Sequence, residues 1–497
     1  MSKKKKKEAQ AVLTDGTVLP YIVTDNPPRG GMKHTYFAPD KSYVIQFFNK
    51  PEDAQDQNLH KRLEKIIGAY NPTRSEAAGG AAGNTEATAN YFDDLYCWPY
   101  ALVAQPEFGI VCPTYPKAFF FDADASQVDA LDLKGKDKKS RWFTSPRVSK
   151  YLRDEEKGDF RSMLSIAILL ARAVRRMHQA GLSHSDLSEN NVLIDPKGGR
   201  CVVIDIDSLV VPGLFPPEVA GTKGYIAPEV LETMNLPMDD PGRALPCIRT
   251  DLFAMAVLIY QYLLHRHPLE GPKVYSTASP EEDDFLMYGP QATFIEDPKD
   301  PSNRPKDLAV TIHDLGPELE QLFLRAFCDG LHNPSERPSA MEWEKALVHA
   351  WDILEPCANP ACPAHWFPLP YGSEPVCPFC GTRIDRRDVL HLRIRQRMNG
   401  RRGQWITRQV INVYDGMPFF AWHFHAGVFP DEKVQDRSMM AYVSHQGGAW
   451  YLVNRSLAGM RSPGGRLVPP GQAVRLEPGR AFLTTEDADG VVFEAMD

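Results

Sequence analysis

His184-Ser185-Asp186-Leu187-Ser188-Glu189-Asn190-Asn191-Val192-Leu193-Ile194-Asp195, followed by Cys201-Val202-Val203-Ile204-Asp205-Ile206-Asp207, is the stretch that decides how this chain is read. A loop of acidic and amide side chains leads into a short apolar strand. A second apolar strand then ends on two more carboxylates. Phosphoryl transfer from a metal-bound nucleotide needs one carboxylate to orient a hydroxyl nucleophile, with an amide and another carboxylate to hold divalent ions. Asp186, Asn191 and Asp205 supply those groups in that order, the last across a short hairpin. Turn capping would explain each of the three singly but leaves the motifs further downstream unexplained.

Those motifs are Gly221-Thr222-Lys223-Gly224-Tyr225-Ile226-Ala227-Pro228-Glu229, then RTDLFAMAVLIYQYL from Arg249, then Glu336-Arg337-Pro338-Ser339. Together, residues ~20–350 resemble a protein kinase catalytic domain. HSDLSENN stands for the catalytic loop H-R-D-L-x-x-x-N, IDID for the D-F-G strand and YIAPE for the A-P-E element. The resemblance implies that Asp186 positions the acceptor hydroxyl, that Asn191 and Asp205 bind magnesium, and that Asp207 adds a second metal contact. It implies too that Thr222 links its segment to Asp186, that Asp251 braces the catalytic loop and that Arg337 pairs with Glu229.

The first part of the chain departs from that pattern. The strand Tyr43-Val44-Ile45-Gln46-Phe47-Phe48 carries Gln46 where the family has a phosphate-binding Lys, and an amide cannot supply that charge. Upstream, RGGMKHTYF places Lys33 just after Gly30-Gly31, a turn whose backbone N–H groups can approach phosphates. This is similar to the with-no-lysine kinases, and Lys33 is the expected replacement cation. Leu59, Leu63, Ile66 and Ile67 recur at helical spacing and predict an amphipathic helix over 53–69. Glu64 on that helix is the expected carboxylate partner of Lys33, with Asp56 and Glu52 as competitors. Ser185 stands where many kinases have Arg, and residues 209–221 hold no Ser, Thr or Tyr, so activation by phosphorylation of that loop is not expected.

Cys357-x4-Cys362 and Cys377-x2-Cys380 form two pairs fourteen residues apart. Four thiolates so spaced suit a closed tetrahedral Zn²⁺ site, and the segment resembles a zinc ribbon. His365 is a spare ligand candidate, and a redox Cys-x-x-Cys is the competing reading. From 389 onward short alternating apolar runs predict a β-sandwich. Trp450-Tyr451-Leu452-Val453-Asn454-Arg455-Ser456 and the hairpin after it resemble the second half of a forkhead-associated (FHA) domain. No clear phosphothreonine-binding loop accompanies it; Arg437 and Ser438 read either as remnants of one or as ordinary strand residues.

Composition sets the frame. The 497 residues, 43% hydrophobic and 24% charged, fit about three globular domains. A net charge of −8 argues against a chain built mainly for nucleic acid. The Lys3–Lys7 run lacks the apolar stretch of a signal peptide, and no apolar run reaches the ~20 residues of a membrane span. Nine Cys are too few for a disulfide scaffold, which suggests a reducing, cytoplasmic setting.

The fold class read from the sequence is α+β: a disordered basic tail over 1–11, a two-lobed protein-kinase-like domain over 12–355 (N-lobe 12–115, C-lobe 116–355), a small zinc ribbon over 356–388 and a C-terminal all-β, FHA-like sandwich over 389–497. The resemblance implies ATP- and Mg²⁺-dependent transfer of the γ-phosphate to Ser or Thr of a partner protein. Gly30, Gly31, Lys33, Glu64, Asn191, Asp205 and Asp207 would line the nucleotide site, and Cys357, Cys362, Cys377 and Cys380 would hold a structural Zn²⁺. The module set resembles bacterial stress-response kinases that work beside von Willebrand-type domain proteins and metal-dependent phosphatases. Membrane and nucleic-acid partners are not expected. Two readings stay open beside it: a nucleotide-binding pseudokinase scaffold, suggested by Gln46, and a zinc-ribbon adaptor associated with nucleic acid, suggested by the Arg-rich stretch 383–402.

Overall fold

A computed structural model of the chain describes residues 7–76, 86–122, 133–211, 221–385, 389–398, 404–425, 428, 438–485 and 490–496. It divides into two compact units. The first comprises Met1–Lys157, Leu169–Asn303 and Arg325–Met341, and the second Gly158–Ile168, Arg304–Leu324 and Glu342–Asp497.

The first unit opens with a six-stranded antiparallel sheet. Its strands are β1 (Lys7–Leu13), β2 (Val18–Val23), β3 (Lys33–Phe37), β4 (Tyr43–Phe48), β5 (Ala101–Gln105) and β6 (Gly109–Pro113), in the spatial order β2-β1-β5-β6-β4-β3. Side chains alternate across the pleat. Val44, Phe48, Leu102 and Ile110 bury one face together with Leu59, Leu63 and Ile67 of α1 (Gln57–Ile67). Ile45, Phe47, Val103 and Val111 bury the other face with Ala11 and Tyr21. The α1 start is set by Asp56, whose carboxylate accepts from the N–H groups of Asn58 and Leu59.

One expectation for this region needs correction. Residues 7–11 of the expected disordered tail form β1, because β2 and β5 pair with it on either side and its Ala11 and Leu13 enter the core. Further along, Glu86–Asp93 forms a short helix.

Further along the first unit, β7 (Val192–Asp195) and β8 (Arg200–Val203) form a two-stranded hairpin. The helix Ile248–Leu264 is buried on all sides from Thr250 onward, which is why it is apolar all round rather than on one stripe. No helix among the described residues is long and apolar enough to cross a membrane.

In the second unit, β9 (Leu354–Pro356) and β10 (Trp366–Pro368) pair antiparallel. Two four-stranded sheets follow. One orders β12 (Trp405–Val413), β11 (Leu390–Arg397), β18 (Val491–Met496) and β17 (Ala481–Leu483). The other orders β13 (Pro418–Phe419), β14 (Ala441–Gln446), β15 (Ala449–Asn454) and β16 (Ala473–Leu476). Leu392, Ile394 and Phe493 of the first sheet and Val443, Leu452 and Val474 of the second share one core. Asn454 fastens the turn after β15, donating to the carbonyls of Leu457 and Val468 at 2.8 and 2.7 Å and accepting from the Leu457 N–H. Arg437 lies outside the described residues and Ser438 is exposed.

The expected boundary at 355/356 is not where packing divides the chain. The guanidinium of Arg161 lies 4.9 Å from the ring centres of Trp351 and Trp366 and 5.3 Å from that of Tyr414. His423 donates to Asp352 at 3.2 Å. Segments 158–168, 304–324 and 342–355 therefore belong with the β-sheets.

Candidate active site

The β7–β8 register creates the first juxtaposition. Val192 lies opposite Val203, and the Ile204 N–H donates to the Asn191 carbonyl at 3.0 Å, so Asp205 emerges beside Asn191. Asp205 adopts the left-handed conformation, φ 64° and ψ 41°, directly before the short turn Ile206–Ser208 that carries Asp207. The Asn191 amide donates to the Asp186 carbonyl at 2.9 Å and to its carboxylate at 3.0 Å. Thr222 donates to the other Asp186 oxygen at 2.7 Å.

The loop backbone is braced from beneath. Asp251, 1% exposed, accepts from the N–H groups of His184 and Ser185 at 2.7 and 3.2 Å. His184 donates from Nε2 to the Ile204 carbonyl at 3.0 Å, tying the loop to the strand that ends at Asp205. Ser185 at φ 66° is one of the few non-glycine residues in the left-handed region, and the Asp251 bonds hold its N–H there.

Lys33 arrives from the opposite wall. It starts β3, facing Phe48 across the ladder, immediately after the tight turn at Gly30-Gly31. The Gly30 N–H donates to the Lys33 carbonyl at 2.8 Å, and the Asn49 amide donates to the carbonyls of Gly30 and Gly31, both at 3.1 Å. The Gly30 N–H is thus spent on the turn and not presented to a ligand, contrary to expectation. The Lys33 ammonium meets Asp205 at 3.1 Å and Asp207 closer still. Burial alone would push the Lys33 amine down, but the Asp207 and Asp205 carboxylates outweigh it and hold the ammonium above its ordinary range. Lys33 in turn keeps the Asp205 carboxyl below the usual carboxylate range.

A cavity of about 710 Å³ opens between these walls, lined among others by Lys33, Gln46, Asn191, Asp205 and Asp207. Asp186 faces an adjoining groove with Thr222 and Asp251. The structure thus brings Lys33, Asn191, Asp205 and Asp207 to one cleft, and Asp186 to its edge through Asn191. Glu64 does not join them. Its carboxylate is exposed while Leu63 and Ile66 fill the α1 face toward the core, and the carboxylates on Lys33 are Asp205 and Asp207 instead. Asp56 is occupied as the α1 cap and Glu52 is exposed.

Sequence reading also missed part of the lining. Lys136 and Lys139 line the cavity. The signal that could have found Lys139 is the apolar pair Phe119 and Phe121 nearby, which buries its segment and lets Lys139 bridge Leu193, two residues beyond Asn191. Downstream, Arg337 reaches Glu229 with two parallel bonds of 2.8 Å.

The four sulfurs of Cys357, Cys362, Cys377 and Cys380 lie within 4.8 Å of one another, with Cys357 to Cys380 at 3.5 Å and Cys362 to Cys377 at 3.8 Å. Tetrahedral Zn–S bonds of ~2.3 Å would set sulfurs roughly 3.8 Å apart. The donor set therefore fits zinc. The Cys380 thiol is drawn down to about 6 by hydrogen bonds with Thr382, which favours the thiolate a metal needs. His365 does not join the cluster; its carbonyl accepts from the Cys357 N–H. The redox alternative fails on local structure, because a turn and not a helix follows Cys377. Nor is the arginine stretch 383–402 wholly open to acidic partners: Arg393 and Arg395 both pair with Glu494 at 3.2 Å.

Residues 143–351 match the family model of the protein kinase domain. The human anti-Muellerian hormone type-2 receptor is 33% identical over 129 residues, which cover 21% of this chain and 22% of the receptor. The serine/threonine-protein kinase pkn3 of Myxococcus xanthus is 26% identical over 191 residues, covering 36% and 29%. The chain thus spans less than a third of the length of either relative. Among solved structures, a ROP18 kinase domain in complex with AMP-PNP and sucrose aligns with a TM-score of 0.39 at 16% identity, covering 69% of this chain and 84% of that one.

Proposed function

We propose that the chain transfers the γ-phosphate of ATP to a Ser or Thr hydroxyl of a protein substrate. The observation that carries this reading is the meeting of Lys33 with Asp205 and Asp207 on the wall that also holds Asn191, hydrogen-bonded to Asp186. The half-exposed Asp205 carboxylate and the Asn191 side chain are hard oxygen donors of the kind Mg²⁺ takes, and both would hold it. Mg²⁺ bound with ATP would neutralise phosphate charge. Lys33 contributes a fixed cation to the cleft, in place of the uncharged Gln46. Asp186, oriented by Asn191 and Thr222, accepts the proton of the acceptor hydroxyl as it attacks.

Cys357, Cys362, Cys377 and Cys380 would hold one structural Zn²⁺; four sulfur ligands would leave no position for chemistry, and the metal would staple a segment too short to bury a core of its own.

The test is transfer of labelled γ-phosphate to a generic protein substrate in Mg²⁺. Asp186→Ala should lower transfer about 10²–10⁴-fold. Lys33→Ala should abolish it, while Gln46→Ala keeps most of it. Loss in Gln46→Ala with full activity in Lys33→Ala would overturn the assignment of Lys33. Nucleotide binding without any transfer by the wild type would favour the scaffold reading.

A further inference from the structure

Lys33 is already matched, because the carboxylates of Asp205 and Asp207 both meet its ammonium. That trio is negative overall and by itself repels a triphosphate. The loop from His184 to Asn191 holds no Lys or Arg that could make up the difference. A second cation must reach the cleft from another segment.

Lys139 is placed to do so. Its segment is laced to the loop and strand that carry Asn191: the Ser140 N–H donates to the Val192 carbonyl at 3.0 Å, the Ile194 N–H to the Lys138 carbonyl at 2.9 Å, and the Ser140 hydroxyl to the Glu189 carbonyl at 3.2 Å. Along a bridged, extended segment successive side chains point to opposite sides. Lys138 turns inward, 5% exposed, to pair with Glu156 at 2.6 Å. Asp137 and Lys139 therefore turn the other way, and both line the cavity that holds Lys33 and Asp205. Lys139 is half-buried there and makes no ion pair among the described residues, whereas Arg29 and Lys136, the other basic residues of the lining, are exposed. Its charge is unspent, and its backbone is fixed to the strand that begins one residue after Asn191.

We propose that Lys139 is a second phosphate-binding residue, a cation that meets the nucleotide's phosphates from the Asn191 wall while Lys33 meets them from β3. The inference deepens the reading above and rests on nucleotide binding in this cleft. Lys33, held by two carboxylates, fixes the geometry of its wall; Lys139 supplies positive charge that no carboxylate cancels.

Equilibrium titration of the full chain with ATP and with adenosine, in Mg²⁺ and again in EDTA, tests this. Lys139→Met should weaken ATP binding about 10-fold in both solutions and leave adenosine binding unchanged, since adenosine carries no phosphate. Lys139→Arg should keep most of the ATP affinity, and Lys134→Met, which removes an exposed charge of the same run, should match the wild type. Unchanged ATP affinity in Lys139→Met, or an equal loss for adenosine, overturns the proposal. So does a loss confined to Mg²⁺, which would put Lys139 on the metal rather than the phosphates. A wild type that shows the full binding pattern yet transfers no γ-phosphate sinks the phosphotransfer reading and keeps the assignment of Lys139; one that binds neither ligand overturns both. Should Lys139→Met not fold, Lys139→Gln against Lys139→Arg carries the comparison: ATP affinity lost in the first alone supports the proposal, and equal affinities refute it.

Discussion

Arg337 grips Glu229 through two parallel N–H···O bonds of 2.8 Å across 108 positions of sequence, with the Arg337 side chain 1% exposed. The same guanidinium donates to the carbonyls of Gly330, Arg249 and Leu331, so it ties the segment carrying Glu229, the start of the buried helix Ile248–Leu264 and the loop at 330–331 around one charge. Bidentate geometry and a full set of acceptors are the conditions under which a buried pair holds its place. Arg337→Ala removes the cation and leaves several buried acceptors unmet. We expect a loss of about 3–5 kcal/mol in stability, measured by denaturant unfolding. Arg337→Lys should recover only part, since a point charge cannot replace the fork. A change within experimental error for Arg337→Ala would contradict this account.

Asp251 holds the loop that carries Asp186 through the backbone N–H groups of His184 and Ser185, and does not line the cavity of Lys33 and Asp205. Asp251→Ala should strand those donors at a cost of about 1–3 kcal/mol each. Phosphate transfer should fall by more than nucleotide affinity, because the loop positions Asp186 rather than the nucleotide. Parallel kcat and nucleotide-binding titrations check the split.

The purified chain should contain one zinc per molecule by elemental analysis. Cys362→Ser should lose it, since Cys362 is fully buried in the cluster. Strong chelators should lower the unfolding temperature of the second unit without disturbing nucleotide binding, because metal binding and folding of such a segment are linked.

His267 gives a pH signature. It is buried, accepts from the Leu269 N–H at Nδ1 and donates from Nε2 to the Gly224 carbonyl, a pattern open only to the neutral ring. Burial depresses its pKa below the ordinary value of 6.5. The unfolded chain therefore takes up the proton first as pH falls, and stability drops below about pH 6.5. Thermal unfolding between pH 7.5 and 5.5 should show a slope that His267→Gln reduces. An identical slope in the two proteins would contradict the assignment.

Local spacing carried much of what could be read beforehand. The period of Leu59, Leu63 and Ile66 placed α1. Asn191 and Asp205 meet because a hairpin of fixed register joins them, so their proximity follows from a few neighbouring residues. The cysteine cluster is legible for a similar reason, since each pair is held by its own tight turn. The strand at Lys7–Leu13 escaped because its identity depends on partners: β5 lies some ninety positions away, and a lysine-led segment has no strong pattern of its own.

The carboxylate that meets Lys33 was beyond sequence for a deeper reason. Lys33 lies 172 and 174 positions from Asp205 and Asp207, and Glu64 stands far nearer along the chain. Residue type and spacing determined that a cation, an amide and carboxylates were available. Sheet order, the rotation of α1 and the left-handed turn at Asp205 determined which of them met, because charges pair by distance in space and burial, not by separation along the backbone.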